Sequence, residues 1–315
     1  MEKSKRTGRD VTRWNRRGHV YAPTGELWWA REYATFPTVE LLHGSVVRVY
    51  FTSLDDHRYG RIGYVELDVN APHEILYETK EPILTLGGIG EFDDSGVNLF
   101  SLVKQNDRTY LYYQGWQRCQ RVPYMLFTGL AIANNDEREF RKWSRVPVLD
   151  RTAREPFIRA APYVLLEDDV FKMWYASGTQ WITDKSGLHY NVVIRYATSL
   201  DGFSWNANEH ICVEPNLPDE YAVGRPCVIR DGSLYRMWYS CRSFSKRYVI
   251  GYAESADGVH WSRKDAEAGI AKSDTGWDSE MICYPYVVKI NGQLHMCYNG
   301  NRHGATGFGW AVLES

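Results

Sequence analysis

Acidic residues recur at one offset along this chain. Five residues, Pro37, Phe100, Pro162, Pro226 and Pro285, act as anchors of a repeated pattern. Seven positions before the last four stand Asp93, Glu155, Asp219 and Asp278, with further acids at Asp94, Glu220 and Glu280. Before Pro37 the same position is Ala30, and Glu32 follows two residues later. Carboxylates gathered among aromatic rings suit the cleavage of glycosidic bonds. One carboxylic acid protonates the leaving oxygen while a second carboxylate activates water or attacks the sugar. Crowding of like charges raises one pKa, so an acid and a base can coexist near neutral pH. The candidate catalytic residues are Asp94, Glu220 and Glu280, with Glu32 and Glu155 next. Glu280 or Glu220 is assigned the general acid, and Asp94 the base or orienting carboxylate. Asp93 and Asp278 are placed beside the substrate. The alternative is that these acids cap loops or pair with Arg159, Arg225 or Arg242.

Basic and aromatic residues accompany the acids. Arg159 and Arg225 stand three and one positions before their anchors. Arg302 and His303 lie in the stretch Asn299-Gly-Asn-Arg-His-Gly304, and Tyr284 directly precedes Pro285. Trp277 offers a stacking wall or an apolar pocket beside Glu280. One account pairs the cations with the acids. The sharper account is an anionic ligand clamped by arginines: a phosphate, a nucleotide sugar or an acidic sugar. The expected partner is a carbohydrate or nucleotide-sugar substrate. No His/Asp cluster has metal-ligand spacing and no Walker or Rossmann glycine motif occurs, so no metal or cofactor is expected.

The elements that must position these residues are repeated strands. A Pro-x-Val strand leads to a polar turn, then to a strand ending in Trp-Tyr or Tyr-Tyr. A strand of the type Ile-x-Tyr-Ala follows, then Ser-x-Asp-Gly-x-x-Trp. Two copies are nearly complete, Pro162 to Trp205 and Pro226 to Trp261. The anchors are spaced by 63, 62, 64 and 59 residues, so five units fill the chain. Alternation in Val47-Arg-Val-Tyr-Phe51 and Tyr235-Arg-Met-Trp-Tyr239 reads as strand. Asp201-Gly202 and Asp257-Gly258 suit tight turns, because glycine accepts positive φ. Trp205 and Trp261 are expected to pack between units. Four-stranded sheets repeated about an axis make a β-propeller. The expected fold is all-β, a single five-bladed propeller over residues 18–315. The segment around His19-Val-Tyr21 supplies the last outer strand and closes the ring.

Composition agrees with this class. The 315 residues include 12 Trp, 22 Tyr and 11 Phe, which favour strands and offer flat surfaces for sugars. A net charge of −2 gives no bulk attraction for nucleic acid. The six cysteines lack C-x-x-C spacing and sit mostly in apolar runs, as small buried hydrophobes do. No apolar run reaches membrane-spanning length. Residues 1–17 carry seven basic side chains with no apolar segment after them, which reads as a poorly ordered tail rather than a secretory signal. A cytoplasmic protein is the expectation, with oligomeric state open.

The chain resembles the five-bladed propeller superfamily of glycoside hydrolase families 43 and 32 and the related mannoside phosphorylases. More closely, it resembles a bacterial branch associated with surface-polysaccharide gene clusters. The resemblance rests on Phe92-Asp-Asp-Ser-Gly96, Lys172-Met-Trp-Tyr-Ala-Ser-Gly178, Gly224-Arg-Pro-Cys-Val228, Ile250-Gly-Tyr-Ala-Glu-Ser255, Gly276 to Pro285 and Tyr298-Asn-Gly-Asn301. It covers about residues 18 to 315 and implies a glycosidase acting on a bacterial saccharide or nucleotide-linked sugar. Alternatives on the same fold are a glycoside phosphorylase, a glycosyltransferase or a non-catalytic carbohydrate-binding propeller. The hydrolases place a catalytic Asp at the start of the first blade. Here Arg31-Glu-Tyr-Ala-Thr-Phe-Pro37 holds no Asp.

Overall fold

The computed structural model describes residues 13–134, 139–184 and 187–314. It is built of strands, in five consecutive antiparallel units of four. The first holds β2 (Glu32–His43), β3 (Val46–Leu54), β4 (Gly60–Asp68) and β5 (Ile75–Glu78). The second holds β6 (Gly96–Gln105), β7 (Arg108–Arg118), β8 (Tyr124–Asn134) and β9 (Arg141–Lys142). The third holds β10 (Arg159–Glu167), β11 (Val170–Asp184), β12 (Gly187–Ser199) and β13 (Asn206–Val213). The fourth holds β14 (Glu220–Asp231), β15 (Leu234–Ser243), β16 (Arg247–Ser255) and β17 (Ser262–Arg263). The fifth combines β18 (Cys283–Ile290), β19 (Gln293–Asn299) and β20 (Phe308–Leu313) with β1 (Trp14–Tyr21).

Strand β1 pairs antiparallel with β20, from Trp14 opposite Leu313 to Tyr21 opposite Phe308. Residues 14–17, assigned by the sequence to the basic tail, therefore belong to the sheet. Trp14 is buried and its indole N–H donates to the Ala268 carbonyl at 3.1 Å. The rest of the expected tail, residues 1–12, lies outside the described residues.

Neighbouring units are joined mainly through their first strands. The Thr38 hydroxyl donates to Leu99 O, and Ser101 accepts from Val164 N while donating to Pro162 O. Single parallel bridges, such as Val192 with Ala222, link the first four units into one continuous sheet. Unit five is a separate sheet, joined to its neighbours by side chains and by single backbone hydrogen bonds such as Ile282 N to Tyr248 O at 3.3 Å. Its Asn299 amide donates to Ala34 O at 2.7 Å and accepts from Phe36 N at 2.9 Å. Unit one thus touches both unit two and unit five.

Sandwiching each sheet between its neighbours explains a departure from the simple alternation read in the sequence. On β7 the run Thr109–Gly115 is buried on both faces, and on β15 so is 237–241. Large rings fill the space between sheets. Trp205 meets the Tyr112 ring of unit two at 5.8 Å, and Trp261 meets Trp174 of unit three at 6.3 Å. The turn aspartates are structural: the Asp201 and Asp257 carboxylates each accept two backbone N–H groups from the turns that follow.

Close approach also fixes small residues on the third strands. A Cβ added at Gly129 would lie 2.3 Å from Tyr113 Cζ, inside the ring that covers it. Gly129→Ala is therefore expected to destabilise the fold by about 1–3 kcal/mol. Urea unfolding measures this, and an unchanged midpoint would contradict the packing.

Candidate functional site

Each first strand carries an irregularity at its anchor. Register shifts fall between Thr35 and Thr38, Leu99 and Ser101, Ala160 and Tyr163, Gly224 and Cys227, and Cys283 and Tyr286. In four units the residue before the anchor proline is left-handed: Phe36 (φ 57°), Ala161 (50°), Arg225 (55°) and Tyr284 (55°). Side chains other than glycine rarely take that conformation, and bulges re-aim the side chains they carry. Here they aim Phe36, Ala161, Arg225 and Tyr284, with Phe100 from unit two, at one cavity of about 600 Å³.

All five units contribute to that cavity. Aromatic walls come from Tyr33, Trp116, Tyr124, Tyr190 and Tyr248, and polar edges from Asn98, Gln114 and Ser240. Its basic lining residues are Arg58, Arg118, Arg225, Arg242 and His303. Among the described residues its lining includes no aspartate and no glutamate.

The carboxylates singled out by sequence are elsewhere. Asp93 is fully buried, accepts from Tyr113 Oη at 2.9 Å and pairs with Lys142 Nζ at 2.6 Å. Glu155 accepts from Tyr175 Oη at 3.0 Å and Ser177 Oγ at 2.6 Å, beside Arg159 at 3.2 Å and Arg195 at 3.7 Å. Asp278 accepts from Tyr298 Oη at 3.0 Å and faces Arg16 at 3.7 Å. Unit four builds the same bond from a different acid, with Tyr239 Oη donating to Asp265 at 2.7 Å. The repeated acid thus serves the tyrosine that ends the second core strand. Burial, with the adjoining acid adding to it, holds the Tyr113 and Tyr298 phenols well above their ordinary pKa, so they remain donors.

The remaining candidates are also engaged. Asp219 accepts from Ser245 Oγ at 2.6 Å. Glu220 is held by Arg263, at 2.9 and 3.2 Å. Asp94 caps its loop, accepting from Gly90 N at 3.0 Å and Ser95 Oγ at 2.9 Å. Glu32 and Glu280 are exposed and pair with Arg58 at 3.1 Å and Arg247 at 2.9 Å. Arg159 donates to Asp150 O at 2.6 Å as well as pairing with Glu155. Trp277 packs between His19 and Tyr298, with ring centroids at 5.4 and 5.2 Å. Arg302 is exposed on the turn at 301–304. Of the thirteen expected site residues, the cavity lining takes Arg225, Tyr284 and His303.

Sequence reasoning did not single out Tyr190, Tyr248, Trp116 and Arg118, and it named Arg242 only as a possible partner of the acids. They lie on the far ends of second strands and on third strands. The available signal was strand length, since β7 runs to Arg118 and β15 to Ser243, beyond the aromatic pairs used to define the repeat. His303 stands over the Tyr248 ring at 4.8 Å. Desolvation, then the Arg242 and Arg247 cations, push its pKa down to about 4, so it is neutral at physiological pH.

No family model matches the chain. Over 302 residues it is 38% identical to Uncharacterized protein Rv1502 of Mycobacterium tuberculosis, covering 96% of this chain and 99% of that protein. The chain belongs to the Rv1502 family. Uncharacterized protein MT1551 of the same species matches to the same extent. Among solved structures, a complex of BT0996 with RGII superposes with a TM-score of 0.75 at 19% identity, over 97% of this chain and 92% of that one. A structure from the GH130 family of mannoside phosphorylases reaches 0.68 at 14% identity, over 96% and 94%. A thermostable family-43 glycoside hydrolase reaches 0.64 at 17% identity, over 89% and 88%. This Rv1502 relative has the glycosidase-like propeller fold of these structures.

Proposed function

We propose that the five units are the blades of one five-bladed propeller, and that its central funnel binds a saccharide without hydrolysing it. Aromatic faces with amide and hydroxyl edges are what a sugar ring needs from a site. The single observation that carries the non-hydrolytic reading is that no acid stands among the described lining residues. Two positions before each anchor, the inner strands hold Thr35, Asn98, Ala160, Gly224 and Cys283. A hydrolase on the usual plan needs two carboxyl groups flanking the bond, roughly 5–10 Å apart.

A second reading, hydrolysis or phosphorolysis by carboxylates at the mouth, is favoured by one contact: Glu32 pairs with Arg58, which lines the cavity. One experiment separates the two. Cys119 is exposed and lines the cavity, whereas the other five cysteines are buried. Burial pushes the Cys227 thiol up to about 11 and Cys212 to about 12. Alkylation of the native protein is therefore expected to modify Cys119 first. A glycan panel is then screened for slowing of that alkylation, and for sugar release with and without phosphate. Protection without release is the expected result. Release that Glu32→Gln or Glu280→Gln abolishes would establish hydrolysis or phosphorolysis instead. Binding that leaves the Cys119 rate unchanged would place the ligand outside the funnel.

A further inference from the structure

We infer that Arg242 is the anion-recognition group of the funnel, so that the ligand is a saccharide carrying an oxyanion, either a uronic acid carboxylate or a sugar phosphate. This rests on the funnel being the ligand site. The Arg242 guanidinium is sandwiched between two aromatic rings, 4.6 Å from the Tyr190 centroid and 4.9 Å from that of Tyr248. Among the described residues its guanidinium makes no hydrogen bond and no ion pair with an acid; the Tyr284 and Tyr124 phenols and His303 stand near it besides the two rings.

The other cavity arginines are committed. Arg58 pairs with Glu32. Arg118 donates to the carbonyls of His57 and Arg58 at 2.8 and 2.7 Å. Arg225 donates to Phe100 O, Pro37 O and Thr38 Oγ1. Among the described residues, Arg242 alone of the four makes no hydrogen bond through its N–H donors. A guanidinium offers a planar fork that matches carboxylate and phosphate oxygens two at a time.

The surroundings select for charge. No acid stands among the described lining residues, so none of them neutralises Arg242. A partly desolvated cation without a counterion is unfavourable, and an incoming anion relieves it. The two rings hold the side chain in place beforehand, so little ordering entropy is lost on binding. Neighbouring hydroxyls are paired along the same wall, Tyr124 with Tyr190 at 3.1 Å and Tyr248 with Tyr284 at 3.4 Å. They supply further donors beside the fork.

The test uses the full chain and matched probes: uronate-containing oligosaccharides, their methyl esters, sugar 1-phosphates and the neutral parent sugars. Calorimetry gives affinity and Cys119 alkylation gives location. Acidic probes are expected to bind and protect Cys119, with neutral and esterified ones at least ~10-fold weaker. Arg242→Gln should reduce affinity for the acidic probes by ~10- to 100-fold, and that for neutral ones by less than about threefold, with unfolding unchanged. Arg242→Lys should recover part of the loss, since it restores charge without the fork. Carboxylate and phosphate probes compared directly identify which oxyanion is preferred. Neutral sugars that protect Cys119 as well as acidic ones would overturn the anion inference and leave the funnel reading standing. Acidic probes that bind without protecting Cys119, or no binding by either class, would overturn both.

Discussion

Glu155→Ala is expected to cost about 3–5 kcal/mol of folding free energy, because it removes one partner of a buried ionic cluster. Its carboxylate takes the Tyr175 and Ser177 hydroxyls and sits between Arg159 and Arg195. Without it, two cations and two hydroxyls are left in a desolvated space. For a domain of this size the melting midpoint should fall by roughly 5–8 °C. Glu155→Gln, which keeps most of the hydrogen bonds, should fall between that variant and the parent. Saccharide affinity, measured where both proteins are folded, should be unchanged. A variant of parental stability that had lost ligand binding would instead return Glu155 to the chemistry.

Arg225→Met should destabilise by about 2–4 kcal/mol. Its guanidinium ties the inner strands of three units together through Phe100 O at 3.1 Å, Pro37 O at 2.8 Å and Thr38 Oγ1 at 3.0 Å. Losing it leaves two strand carbonyls buried without these donors. The loss is partly offset because burial already penalises the cation, pushing its pKa down to about 10. Equilibrium urea unfolding checks the value. A neutral or stabilising substitution would mean that the desolvation of this cation outweighs its three hydrogen bonds.

The repeat was legible because its marks are local. The anchor prolines, the Asp-Gly turns and the aromatic strand ends are fixed by backbone conformation and strand pairing, and the structure places them in successive units. The strand around His19-Val-Tyr21 could be assigned because unit five lacked a fourth strand of its own. The site was less legible, because residue type does not tell a buried, partnered carboxylate from a free one. A signal was nevertheless present. Asp93 and Tyr113, Glu155 and Tyr175, and Asp278 and Tyr298 are each twenty residues apart. An acid that recurs with its own tyrosine in three of the five units is serving the repeat, and a role repeated from unit to unit is a structural one. Binding belongs where the copies differ. The position before the anchor proline is Phe36, Ala161, Arg225 or Tyr284, and only Arg225 among them carries charge. Arg242 occupies a place filled by Trp116 in unit two.

The pairing of β1 with β20 also constrains how the protein is made. Of the described strands β1 is made first and its partner β20 last, so while the strands between them are made β1 waits with an open hydrogen-bonding edge. Its Trp14, Val20 and Tyr21 side chains, buried in the finished molecule, are then exposed to water. Such a strand is open to pairing with another nascent chain. The three arginines at 13, 16 and 17 put like charges on that waiting strand and its flank, and mutual repulsion between chains would keep it unpaired until β20 arrives.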